Sequence, residues 1–130
     1  MSEDGRLRSP LGRALGLGSA KEGVAHWWAQ RLTAVALVPL TIWYVIALIA
    51  LTGAEHGRVV AWLHQPFPAI VTLLLLMATF YHMALGVQVV IEDYVHTEAV
   101  KIAALVLNKF VAFVLAIAGI FAVLRIAFQS

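Results

Sequence analysis

The chain has 130 residues, of which 62% are hydrophobic and only 12% charged, with no cysteine and a formal net charge of +2. A soluble domain carries about one quarter charged residues, and the apolar excess here is more than one small core can hide. This excludes an ordinary cytosolic enzyme domain, a disordered tail, a disulfide-stapled secreted module, and iron–sulfur or zinc–thiolate sites built by this chain alone. The composition is that of a membrane protein, and no nucleic-acid partner is expected.

In chain order, residues 1–22 read as a polar, basic, glycine-rich N-terminal arm and residues 23–130 as a membrane domain. The arm spells no phosphate loop, because Ser19-Ala20-Lys21-Glu22 lacks the Gly-Lys-Ser/Thr end. It is not expected to be a cleaved signal peptide, since a long polar stretch precedes the first apolar run. That run extends from about Leu32 to Leu51 without a charge, and Pro39 within it predicts a bend. A second block, about Phe67 to Ile91, is broken only by Thr72, Thr79, His82 and Gln88. The third, about Ile102 to Phe128, carries Asn108, Lys109 and Arg125 toward its two ends. A bilayer core of roughly 30 Å needs about 20 helical residues, and each block supplies them. A barrel would need alternating strands, and Val71-Thr72-Leu73-Leu74-Leu75-Leu76 does not alternate. The predicted fold is all-α, with three transmembrane helices over about 32–51, 67–91 and 102–128.

Basic residues set the expected orientation. Arg6, Arg8, Arg13, Lys21, Arg31, Lys101 and Lys109 fall on one side, while Arg58 and Arg125 fall on the other. The N-terminus is therefore expected on the cytoplasmic side. Trp27, Trp28 and Tyr94 then lie at the inner interface, and Trp62 lies in an outer loop with His56 and His64.

His82 is the most informative residue. It precedes Ile91 by nine positions, about 13 Å along a helix, which puts an ionisable group near mid-bilayer. Two readings are open: a ligand or proton-relay role, and a neutral imidazole bonded to a neighbouring helix. Ala78 and Gly86 sit one turn before and after it on the same face. Small residues there leave room for a flat macrocycle such as haem, or for close helix packing. The remaining histidines, His26, His56, His64 and His96, lie outside the spans. A six-coordinate haem at His82 would thus need its second axial ligand from another polypeptide or a second copy.

Eleven residues after His82 comes Asp93, almost a whole number of turns on, so His82, Gly86 and Asp93 share one stripe. Glu92 and Asp93 at a helix C-terminus oppose the macrodipole, which favours a cation on a partner. Tyr94 adds a phenolic donor at the membrane surface, suited to a headgroup that takes up protons as it is reduced. The plainer reading, a belt aromatic beside solvated acids, is also open on these residues alone.

Two segments resemble the small hydrophobic membrane anchor of alphaproteobacterial succinate dehydrogenase, a cytochrome b556. One is Gly23-Val24-Ala25-His26-Trp27-Trp28-Ala29-Gln30-Arg31-Leu32-Thr33-Ala34; the other is the run from His82 to Asp93-Tyr94-Val95. The resemblance implies pairing with a second three-helix anchor subunit that holds haem b jointly with this one and supplies its other axial ligand. It further implies docking of an iron–sulfur subunit and a flavoprotein, which carry the clusters and FAD, in a bacterial inner membrane. Electrons would pass from succinate to ubiquinone, with no complete active site on this chain. Carried over by position, His82 is the haem axial ligand and thus the iron-binding residue, and Tyr94 with Asp93 belongs to the quinone site. Arg31 and His26 fall in the vicinity of the haem propionates. The alternatives are an anchor of a quinol-linked fumarate reductase and, from another class, a small transport or channel subunit. A transport subunit would need more intramembrane polar groups than His82, Gln88 and a few hydroxyls.

Overall fold

The computed structural model describes residues 20–129, and all their regular structure is helical. Four helices follow in order: α1 (Ala20–Ala50), α2 (His56–His64), α3 (Pro66–Tyr94) and α4 (Glu98–Phe128). Three of them, α1, α3 and α4, are long and apolar enough to cross a membrane. Residues 1–19 of the N-terminal arm lie outside the described residues.

The helices outrun the apolar blocks at most ends. Hydropathy marks only the stretch suited to lipid, whereas backbone hydrogen bonds continue into the polar interface. α1 starts twelve residues before Leu32, and it runs through Pro39 as one helix. Gly53 ends the turn after α1 with φ +77°, a left-handed conformation in which a side chain would be strained. At the start of α3, Pro66 and Pro68 occupy first-turn positions whose missing N–H groups have no helical acceptor in any case. Only Val95, His96 and Thr97 separate α3 from α4, so these two must run antiparallel as neighbours.

The expected outer loop holds a helix of nine residues, α2, instead of irregular chain. Its length is too short for the periodicity to stand out, and it is held by packing. Trp62 stacks on Trp43 of α1 with ring centroids 6.1 Å apart and planes at 16°. Tyr44 and Phe67 meet the same pair edge-on, at 5.9 Å from Trp62 and 5.2 Å from Trp43 respectively. Beneath this cluster the Tyr44 and Thr72 hydroxyls share a hydrogen bond of 3.2 Å between α1 and α3.

α3 is the central element. α1 packs on one side of it and α4 on the other, while α1 and α4 do not pack on each other among the described residues. The spans thus form an open layer, not a closed three-helix bundle. Small residues set the α3–α4 spacing: a Cβ placed on Gly119 would lie 3.3 Å from Leu76. Pro68, Val71, Thr72 and Leu85 of α3 and Ala112 and Val123 of α4 are buried, but no described residue of α1 is. Most of the remaining large apolar side chains of these helices are exposed on the chain's surface.

Candidate functional site

His82 sits midway along α3 and faces α1. Its Nδ1 lies 3.0 Å from the Thr33 hydroxyl oxygen, which also lies 2.7 Å from the Ala29 carbonyl oxygen and 3.1 Å from that of Gln30. Among the described residues nothing bonds His82 Nε2, and that atom is not fully enclosed. The imidazole is thus bonded to a neighbouring helix, as one of the two readings expects. One nitrogen ties it to a neighbouring helix, and the other stays available.

The room beside Gly86 is partly taken by α1. A Cβ at Gly86 would stand 3.7 Å from Gln30 Nε2, an ordinary contact. Gln30 belongs to a stripe with His26 and Thr33, at offsets of four and three residues, that runs along α1 toward His82. His26 Nε2 and Gln30 Oε1 are both enclosed and have no hydrogen-bond partner among the described residues. Each such group costs about 1–3 kcal/mol, so this stripe carries an unmet polar demand beside His82. The sequence reading does not include Gln30 and Thr33. Their signal is three polar residues at helical spacing, which at a membrane interface is fainter than one histidine in mid-span.

The other expected site residues are placed less tightly. Arg31 lies about 140° round α1 from His26, and its guanidinium packs 5.3 Å from the Trp27 ring centroid. It is exposed, and the described side chains do not bring it to the His26 stripe. Asp93 and Tyr94 end α3, about 18 Å from His82 along the helix axis. Both are exposed, Tyr94 at 77%. Glu92 accepts a 3.0 Å bond from Gln88 Nε2, so one of the two terminal acids finds its compensation on its own helix. Among the described residues Asp93 has no such partner.

Two residues of α4 matter more than their flanking position in the sequence implies. Asn108 Nδ2 donates to the Ala84 carbonyl at 2.9 Å, which pins α4 to the turn that follows His82. Lys109, expected at the flank of its span, stands instead level with the middle of α3. It lines a groove of about 310 Å³ with Met77, Phe80, Tyr81, Ala84 and Phe113. The difference arises because α4 begins at Glu98, four residues before the apolar block, and the Asn108 bond fixes its register. A long aliphatic stem lets a lysine lie along such a groove.

No cluster of three or more His, Cys, Asp or Glu side chains suited to a metal ion occurs among the described residues. An iron at His82 would need its further ligands from a macrocycle and another chain. The open Nε2 and the two unpartnered polar atoms along the α1 stripe are compatible with that.

A family model described as succinate dehydrogenase/fumarate reductase transmembrane subunit matches residues 5–116. The chain belongs to this family. It is 37% identical over 89 residues to the succinate dehydrogenase hydrophobic membrane anchor subunit of Paracoccus denitrificans, covering 68% of this chain and 69% of the relative. The protein of the same description from Rickettsia bellii is 32% identical over 117 residues, 90% of this chain and 94% of the relative. The succinate dehydrogenase membrane anchor subunit of Reclinomonas americana is 30% identical over 95 residues, 71% of this chain and 79% of the relative. Three membrane-length helices and no compact core are what such a subunit requires.

Proposed function

We propose that this chain is a membrane anchor of a succinate:ubiquinone oxidoreductase, contributing one axial ligand to haem b and part of the quinone site. The observation that carries the haem reading is the half-committed imidazole. His82 is held through Nδ1 in the middle of a membrane-length helix, while Nε2 has no hydrogen-bond partner among the described residues and is not fully enclosed. The second ligand comes from a partner anchor subunit packed over the same face, and the haem, when bound, supplies a reversible one-electron couple.

Quinone chemistry belongs at the end where α3 stops. Tyr94 offers an exposed hydroxyl as donor to a quinone carbonyl, and Asp93 offers a carboxylate to a cationic group of the partner or to proton delivery. With the N-terminus in the cytoplasm, this end faces the iron–sulfur subunit and inner water. The three relatives are named for succinate dehydrogenase, which favours that direction over fumarate reduction. Family membership likewise weighs against a transport subunit.

The test is the reduced haem absorption band of the purified complex. His82→Ala is expected to abolish the band while the chain still inserts and co-purifies with its partners. An unchanged band in that variant would remove His82 as the ligand.

A further inference from the structure

We infer that Thr33 is a positioning residue for His82: it fixes which imidazole nitrogen is offered to iron and tunes its donor strength. This rests on the reading of His82 as a ligand. A threonine hydroxyl has one proton. Here the shortest contact of Oγ1 is the Ala29 carbonyl at 2.7 Å, four residues back, the usual acceptor for a helical threonine. With its proton committed there, Oγ1 meets His82 with a lone pair alone. Nδ1, 3.0 Å away, must then carry the N–H and donate. A neutral imidazole has only one N–H, so Nε2 keeps its lone pair, unclaimed by any described donor.

The opposite tautomer is worse on two counts. Thr33 would have to give up its shortest hydrogen bond. The Nε2–H would then have no acceptor among the described residues, in surroundings where an unmet donor costs about 1–3 kcal/mol. Because threonine is β-branched and stiff, the same bond also restrains rotation of the ring. The ligand lone pair is set up by this chain alone, before iron arrives.

A second consequence concerns the iron. Donation from Nδ1–H to an oxygen strengthens Nε2 as an electron donor to iron, and a stronger donor favours ferric over ferrous haem. Loss of the hydroxyl should shift that balance toward the reduced form. One hydrogen bond of ordinary worth corresponds to about a two- to tenfold change in the ferrous:ferric ratio at a fixed ambient potential.

The experiment uses the assembled complex in mild detergent, with Thr33→Val, Thr33→Ser and His82→Ala compared for haem content and for the ferrous:ferric ratio. Thr33→Val is expected to keep its haem and raise the ratio about two- to tenfold, and Thr33→Ser to return it to the parent value. Parent-like titration of Thr33→Val, with His82→Ala devoid of haem, would overturn the role of Thr33 and leave the ligand assignment standing. Haem retained in His82→Ala would overturn the ligand assignment itself. Nitrogen NMR of the haem-depleted parent complex, with the His82 signal assigned by difference, reads the tautomer even where Thr33→Val does not accumulate. A protonated Nδ1 supports the inference, and a protonated Nε2 defeats it.

Discussion

Where α1 ends and α3 begins, Trp43, Tyr44, Trp62 and Phe67 converge from three helices, and the Tyr44 and Thr72 hydroxyls pair with each other. Where α1 begins and α3 ends, Trp27 and Trp28 are sequence neighbours that touch chiefly each other, each about half exposed. Tyr94 stands free there, and His26 and Gln30 hold enclosed atoms with no partner. The first region is complete within the chain. The second leaves polar atoms unmet among the described residues, and every expected site residue except His82 lies toward it. Burial alone would not separate them, since both ends are largely surface. Hydrogen-bond satisfaction does.

The comparison can be broken by substitution. The largest effect is expected at the closed end, where Trp43→Ala removes a ring in contact with Tyr44, Trp62 and Phe67. A loss of about 3 kcal/mol in the stability of the detergent-solubilised chain is expected, against less than about 1 kcal/mol for Trp27→Ala. Equal losses, read from denaturation midpoints, would mean that both ends are self-contained. At the open end the readout changes from stability to activity. Tyr94→Phe is expected to leave chain stability unaltered and to slow quinone reduction about tenfold, the worth of one hydrogen bond, while succinate oxidation with an artificial acceptor persists. If both activities fall together Tyr94 is structural, and unchanged quinone kinetics would return it to the aromatic belt.

Much of this is legible in the residues. Three spans follow from long apolar runs, because a helix in lipid must satisfy its backbone internally whatever it packs against. The depth of His82 follows from counting along a helix. What packs on His82 does not, since no periodicity in α1 says that Thr33, and not Thr41, will stand opposite it; that depends on the antiparallel register of α1 and α3. α2 is illegible for a related reason: nine residues of mixed polarity form a helix because Trp62 finds Trp43. Lys109 reads as a flanking charge because hydropathy places a helix boundary where polarity starts, whereas the Asn108 bond to Ala84 places α4 by contact. Arg31 groups with His26 by proximity in sequence, although five residues on a helix point the two well apart.

The smallest expected effect is also the one that discriminates best, because its sign depends on the state measured. Gln30 Oε1 is enclosed and unbonded, so the isolated chain carries its desolvation cost without return. Gln30→Leu removes that atom and keeps much of the bulk against Gly86, where the present contact is 3.7 Å. The isolated chain should gain stability, by up to about 1 kcal/mol. In the assembled complex the same change removes a polar atom that a partner or cofactor group would meet, and recovery of haem and of the partner anchor should fall. A residue that is merely tolerated would shift both in the same direction or neither. Opposite signs would locate the missing partner of the open end on the His26–Gln30–Thr33 stripe, beside the imidazole.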